Sequence, residues 1–114
     1  MKNIIITASL LISSLMFAQK VEPKFEAVDN MVKATYYHDN GQVKQEGFYL
    51  DGKLHGEWIS YNESGVKQTI GEYNKGNKVG KWFFWNTDKL SEVDFSDSRI
   101  VAIKKWSSET LVKN

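Results

Sequence analysis

After residue 19 the chain alternates short apolar and aromatic runs with polar turn sequences, and no segment keeps the 3.6-residue period of a helix. Residues 43–50 illustrate the pattern, because their odd-numbered positions would point to one side of a strand and their even-numbered positions to the other. The flanking sequences Asp39-Asn40-Gly41 and Asp51-Gly52-Lys53 are typical of turns, where glycine can adopt a positive φ. The pattern therefore predicts antiparallel β-structure after Gln19.

A repeat of 24 residues organises this part of the chain, which is typical of repeat architectures. Seven registers agree: Trp58, Trp82 and Trp106; Tyr37, Tyr61 and Trp85; Gly41 and Gly65; Gly47 and Gly71; Tyr49 and Tyr73; Gly52 and Gly76; Gly56 and Gly80. Residues 36–58 and 60–82 are the best copies, whereas 84–106 keeps aromatic residues but has Lys89 and Phe95 in place of glycines. We therefore predict an all-β fold, an elongated antiparallel sheet of stacked β-hairpins.

The first residues have the composition of an export signal. Residues 4–17 are almost wholly apolar or small, follow Lys2 and precede Ala18, as in a cleaved secretory signal. The apolar run is shorter than the roughly 20 residues that span a bilayer. The sequence therefore predicts a signal peptide over 1–18 and an exported protein that is periplasmic, in the cell envelope or secreted. An anchor helix that stays attached, or a buried strand, are the alternatives.

Three further units follow the predicted signal. Residues 19–35 are predicted to form an N-terminal capping hairpin with a turn at Asp29-Asn30, residues 36–106 the repeat domain, and residues 107–114 a polar C-terminal tail. The loss of repeat glycines in the last copy is what we expect of a terminal repeat, because such a repeat has a neighbour on one side only.

The composition excludes several classes of function. The chain has 15 Lys and Arg against 14 Asp and Glu residues, whereas a nucleic-acid binder needs a basic surface. It has no cysteine, so a disulfide framework, a thiolate metal site and a cysteine nucleophile are excluded. His38 and His55 have no partner at ligand spacing and are interpreted as solvated loop residues. We therefore predict a protein that is not an enzyme, with no catalytic residue, metal or cofactor.

The aromatic residues are the best candidates for a binding surface. They are predicted to form two groups: Tyr37, Tyr61 and Trp85 in one, and Trp58, Trp82, Phe84 and Trp106 in the other. One group would pack and the other would dock a partner; both could also be core. The repeat glycines are predicted to be structural, and Gly47 and Gly71 to leave room for a ring from the adjoining strand. The others are Gly52, Gly56, Gly76 and Gly80.

Lysines at the glycine-containing turns of the two best repeats allow two interpretations. Lys53, Lys75, Lys78 and Lys81 could form a basic site for phosphate or lipid headgroups. The favoured interpretation is that they protect an exposed sheet edge from strand addition, and Lys104-Lys105 is interpreted in the same way.

The segment Gly47–Trp58, with the pattern Gly-x-Tyr-x-x-Gly-Lys-x-x-Gly-x-Trp, resembles a MORN repeat of the second variant, and Gly71–Trp82 resembles it again. This variant occurs in bacterial proteins named as antitoxin-like. The resemblance implies stacked β-hairpins and interaction or scaffold roles, sometimes at membranes. We therefore expect an interaction or scaffold module of the bacterial envelope with a protein partner. A lipid-headgroup or glycan binder, and an antitoxin- or immunity-like neutraliser, are the alternatives, and the oligomeric state is open.

Overall fold

A computed structural model describes residues 21–107 and shows one antiparallel sheet whose eight strands follow the chain order. The strands are β1 (Lys24–Val28), β2 (Met31–Tyr37), β3 (Val43–Leu50), β4 (Lys53–Tyr61), β5 (Lys67–Asn74), β6 (Asn77–Asn86), β7 (Lys89–Ser96) and β8 (Arg99–Ser107). The predicted all-β sheet of stacked hairpins is confirmed. The predicted signal over 1–18 lies outside the described residues, as does the predicted C-terminal tail beyond Ser107, the last residue of β8.

The hairpin turns alternate between two lengths along the first strands. Asp51-Gly52 and Lys75-Gly76 form tight turns in which both residues have positive φ, from 47° to 92°. This is the geometry that matches the right-handed twist of the flanking strands. The connections before β3 and before β5 are five residues long, 38–42 and 62–66. The predicted turn sequences therefore lie at the strand ends, where the sheet reverses direction.

A wide irregularity brings a tryptophan ring over the neighbouring strand in each repeat. Between β3 and β4, Glu46 lies opposite Ile59 and Phe48 lies opposite His55, so residues 56–58 of β4 face Gly47 alone. Gly56 has a φ of 74° at this bulge, which L-residues with a side chain rarely adopt. A Cβ on Gly47 would overlap the indole carbons of Trp58. The predicted role of Gly47 as room for a ring is confirmed.

The same arrangement recurs 24 residues later. Between β5 and β6 a bulge places residues 80–82 against Gly71, and a Cβ on Gly71 would overlap the ring of Trp82. The pairing of β6 with β7 is regular. In the third repeat the equivalent strands are β7 and β8, where Phe95 stands in place of the small residue. Their pairing lacks the wide bulge and shifts by a single residue, Val101.

The two faces of the sheet differ in charge. Residues opposite each other on antiparallel strands share a face, so the registers place the paired strand residues, and the alternation along each strand places their neighbours. We call the face with Trp58 and Trp82 the aromatic face and the other the charged face. All six acidic residues within the strands lie on the charged face: Glu26, Glu46, Glu57, Glu72, Glu92 and Asp94.

The sheet is a single layer. Within residues 21–107 no second sheet or helix covers either face. Its buried apolar side chains, Ala34, Trp58, Trp82 and Phe95, all belong to the aromatic face. The core of this protein is therefore a row of rings lying on one side of the sheet.

Candidate functional site

The centre of the aromatic face is a chain of edge-to-face ring contacts. Trp58 meets Tyr49 at 5.3 Å and Tyr73 at 6.3 Å between ring centroids. Trp82 meets Tyr73 at 5.0 Å and Phe95 at 5.8 Å. Edge-to-face geometry is the favoured arrangement of aromatic pairs. These contacts join β3 to β7 through side chains alone.

The two central tryptophans are core residues. Trp58 and Trp82 are only 6% and 4% exposed. Each indole Nε1 donates a hydrogen bond to a backbone carbonyl of the strand beneath it, Trp58 to Phe48 at 3.0 Å and Trp82 to Glu72 at 3.1 Å. Neither ring has a free face to offer a ligand, so of the predicted binding residues these two contribute to packing.

Polar groups at either end of the ring row are already engaged. The hydroxyls of Tyr36 and Tyr49 lie 2.9 Å apart, and this hydrogen bond, with burial, raises the pKa of Tyr49 to about 12. Burial also raises the pKa of Tyr73. At the other end Lys78 Nζ lies 5.1 Å from the ring centroids of both Trp82 and Phe95, within cation–π range.

The rest of the aromatic face is open to solvent. Phe84 is half-buried and stacks on Trp82 with centroids 6.1 Å apart. Four large apolar side chains at the two ends of this face are exposed: Phe25, Val32, Ile100 and Ile103. A shallow groove of about 280 Å³ between the central tryptophans has polar groups in its lining, Gln45, Ser60 and Thr69. This face combines apolar rings with neutral polar groups.

The second predicted group of rings lies on the charged face. Tyr37, Tyr61 and Trp85 are half-buried, and none of the ring contacts among the described residues joins them to one another. The Tyr61 hydroxyl donates to Glu46 Oε1 at 3.2 Å, and burial, together with this carboxylate, raises the pKa of Tyr61. Trp85 stacks on Phe83 at 6.1 Å. These rings are separate side chains on a face that also carries carboxylates.

Trp106 does not continue the series of Trp58 and Trp82, and the prediction that groups it with them is wrong. It lies opposite Leu90, which lies opposite Trp85, so Trp106 is on the charged face. The physical reason is the loss of glycine, since Lys104 stands 24 residues after Gly80. Without the wide bulge, β8 pairs with β7 in a nearly regular register and its tryptophan turns to the other side.

A groove of about 620 Å³ lies beside Trp85. It is lined by Asn62, Val66, Lys67, Gln68, Asn86 and Thr87 together with Trp85. The groove arises because residues 62–66 form a long connection, whereas β6 and β7 are joined by Thr87 and Asp88 alone. The neighbouring turn is therefore too short to fill the space next to the indole.

The four lysines at the repeat turns do not lie at a sheet edge. The interpretation of Lys53, Lys75, Lys78 and Lys81 as edge protection is therefore wrong. The edges of the sheet are β1 and β8, and these four lysines lie in or between interior strands. Lys78 contacts two rings, and Lys81 Nζ lies 3.7 Å from Glu92 Oε2. Lys104 and Lys105 do lie on an edge strand, β8.

The two histidines connect successive repeats, which corrects their interpretation as merely solvated. His38 Nε2 lies 2.9 Å from the carbonyl oxygen of Tyr61. His55 Nδ1 accepts a hydrogen bond of 3.1 Å from the backbone N–H of Lys75. These partners lie 23 and 20 residues away, close to one repeat. The 24-residue spacing of the repeats was the one sequence signal for these contacts. Which backbone group each histidine side chain meets can be read only from the structure.

Within residues 21–107 no group of three or more His, Asp or Glu side chains is placed to hold a metal ion. The same residues contain no helix long and apolar enough to cross a membrane.

Two adjacent segments, residues 32–51 and 54–75, match the family model described as the MORN repeat variant. This part of the chain is similar to MORN repeats. It holds the first pair of glycine and covering tryptophan, Gly47 and Trp58, and the geometry recurs at Gly71 and Trp82. MORN repeats are commonly interaction modules. Comparison with the curated proteins and with the solved structures finds no significant match.

Proposed function

We propose that this MORN-repeat chain is an exported, non-enzymatic protein-interaction module of the cell envelope, and that the aromatic face is its docking surface. The supporting observation is the asymmetry of the single-layer sheet. Among residues 21–107 the aromatic face has no covering layer and no acidic strand residue, whereas the charged face carries all six acidic residues of the strands.

The physical reasoning begins with the cost of exposed apolar surface. A sheet with an apolar face is normally buried against another element, and exposed apolar patches mark contact surfaces. Phe25, Val32 and Phe84 are uncovered parts of this face. A protein partner that covered them would remove apolar area from water at roughly 25 cal/mol per Å².

The charges on this face define the partner further. Its charged strand residues are Lys78, Lys89 and Lys105, all cationic. Complementary charge chiefly sets specificity and association rate. The partner is therefore a protein with an apolar contact surface that carries carboxylates at its rim. The charged face, with acidic and basic groups interspersed, stays in water.

Glycan binding is the second candidate function, favoured by the groove beside Trp85. A half-buried indole next to the amide groups of Gln68 and Asn86 offers a stacking surface and hydrogen-bonding groups to a sugar. The rings of Trp58 and Trp82 are buried and cannot stack against a sugar. Loss of glycan-array binding in Trp85→Ala, with aromatic-face variants unaffected, would favour this candidate over protein docking.

The experiment compares one substitution on the two faces. Val32 on the aromatic face is 41% exposed and Val28 on the charged face is 37% exposed, and both lie in the first hairpin. After crosslinking and purification of the mature chain from its own cells, Val32→Glu should lower recovery of the bound protein and Val28→Glu should not. Circular dichroism checks the fold of both variants.

Equal recovery with the two variants would exclude the aromatic face as the docking surface. Export is tested separately by N-terminal sequencing of the purified protein, which should begin near Gln19. A chain that retains Met1 and the apolar residues that follow it would exclude a cleaved signal.

A further inference from the structure

We propose that β8, the C-terminal edge of the sheet, accepts an extended acidic segment of a partner protein as a ninth strand. This inference rests on the proposed function only in taking the partner to be a protein. It concerns the edge of the sheet and not the aromatic face, so each can fail without the other.

The two edges of the sheet differ in length and in charge balance. β1 has five residues, and its Lys24 Nζ and Glu26 Oε1 lie 3.3 Å apart. β8 has nine residues and no acidic residue. Natural sheets keep their edges from pairing with short strands and charged side chains. β1 is short and carries charges of both signs, whereas β8 carries only cationic charges and is long enough to pair with a full strand of opposite charge.

β8 also presents exposed apolar side chains. Ile100, Val101 and Ile103 are each more than half exposed, which makes β8 the richest strand in exposed large apolar residues. Ile100 and Ile103 lie on the aromatic face, opposite Phe95 and Val93 of β7. A strand added at this edge would place its own side chains beside these two isoleucines and cover them.

The charges of β8 favour an acidic partner. Arg99, Lys104 and Lys105 have no ion-pair partner among residues 21–107. Glu92 lies opposite Lys104 in β7, but its carboxylate is paired with Lys81. Lys104 points to the charged face and Lys105 to the aromatic face, so a carboxylate on either side of an added strand meets an ammonium group.

The same charges disfavour a second copy of this chain at the edge. Pairing two β8 strands would bring together six cationic side chains and no carboxylate, because each strand contributes Arg99, Lys104 and Lys105. Like charges across a strand pair are destabilising. An added strand of opposite charge instead gains backbone hydrogen bonds for affinity and side-chain contacts for specificity, as in other cases of strand addition.

The test selects binders from a displayed library of random nine-residue peptides, with the folded chain as bait. Peptides that bind β8 should combine alternating apolar residues with carboxylates. Their affinity, measured by fluorescence anisotropy, should fall about tenfold in the double variant Lys104→Glu, Lys105→Glu, since each exposed ion pair contributes little alone. Added salt should also weaken binding.

A matched control carries the same change in net charge elsewhere. The double variant Lys53→Glu, Lys75→Glu alters two exposed turn lysines remote from the edge and should keep the affinity within about twofold. The milder variant Lys104→Gln, Lys105→Gln guards against loss of folding and should give an intermediate affinity. Hydrogen exchange should slow in β8 when peptide binds, and remain unchanged in β1.

Several results would overturn the proposal. A library that yields no binder, binders without carboxylates, or equal losses in the two charge-reversal variants would each do so. Protection, in the free chain, of the β8 amides that point away from β7 would show an edge already occupied. Val32→Glu should leave peptide affinity unchanged. If it abolishes peptide binding, the peptide occupies the aromatic face, which would support the proposed function and remove this inference.

Discussion

The indole of Trp58 lies across the backbone of Gly47 in the neighbouring strand and donates a hydrogen bond from Nε1 to the carbonyl oxygen of the next residue, Phe48, at 3.0 Å. Gly47 is needed for space, because its φ is not in the left-handed region, whereas Gly56 is needed for its positive φ at the bulge. The two glycines of one motif therefore serve different physical purposes. This contact lets a single-layer sheet bury a large ring without a second layer.

Replacing Gly47 with alanine should destabilise the protein by about 1–3 kcal/mol, because the added Cβ overlaps the ring of Trp58 and forces it to move. Chemical denaturation measures this change in the free energy of unfolding. In a Trp58→Leu background the same substitution should cost much less, because glycine at mid-strand is itself unfavourable by about 0.5–1 kcal/mol relative to alanine.

The control for that prediction is the second repeat. Gly47→Ala should keep its full cost in a Trp82→Leu background, because the ring over Gly47 belongs to Trp58 and β6 is separated from β3 by two strands. If Gly47→Ala and Trp58→Leu are simply additive, the close approach of these two residues is not the reason for the glycine.

The four tryptophans should fall into two classes of solvent access. Trp58 and Trp82 are buried on the aromatic face, whereas Trp85 and Trp106 are half-buried on the charged face. Quenching of fluorescence by acrylamide should therefore reach one population readily and the other poorly. Trp106→Phe should reduce the accessible population and Trp82→Phe the protected one. The opposite assignment would mean that Trp106 shares the environment of Trp58 and Trp82.

Loss of the His55 acceptor should loosen the contact between successive turns. His55→Phe keeps an aromatic ring but leaves the Lys75 N–H without its partner, at a cost of about 1 kcal/mol. His55→Asn places an amide oxygen where Nδ1 stands and should restore most of the stability. Amide exchange at Lys75, followed by NMR, reports the bond directly. Equal exchange rates in the two variants would show that the hydrogen bond does not protect this amide.

Alkaline pH should weaken the hydroxyl pair of Tyr36 and Tyr49. The pKa of Tyr49 is raised to about 12 in the folded protein, chiefly by its hydrogen bond with Tyr36, above the ordinary value of 10.0. The folded state therefore favours the neutral hydroxyl. Its contribution to the free energy of unfolding is complete below pH 10 and is lost as the pH rises towards 12.

Denaturation curves recorded across this pH range should show a smaller loss of stability in Tyr49→Phe than in the wild type. A residual loss is expected in the variant, because the pKa values of Tyr61 and Tyr73 are raised as well. An unchanged slope in Tyr49→Phe would mean that this hydroxyl pair does not control the alkaline transition.

Much of the architecture follows from local patterns. Turn sequences such as Asp51-Gly52, the alternation within 43–50 and the 24-residue recurrence predict consecutive hairpins, because turns and strand periodicity are encoded by neighbouring residues. The need for space at Gly47 and Gly71 was also predictable, since glycine at mid-strand otherwise only weakens a strand. One detail differs: Val43 lies opposite Tyr37 because the register shifts after Tyr36.

The candidate surface was less predictable. The sequence shows which predicted strands contain acidic residues, but their confinement to one face appears only when the registers and bulges of the strands are known. Whether a ring is covered depends on its neighbours across the sheet, which the 24-residue repeat does not specify. The repeat therefore grouped Trp106 with Trp58, although their environments differ.

The sequence by itself determined the hairpins, their order and their period, because each of these depends on residues a few positions apart. Only the tertiary structure decided which rings are buried and which face carries no acidic strand residue. These features depend on cross-strand register, and a single bulge at a residue such as Gly56 changes which side chains meet.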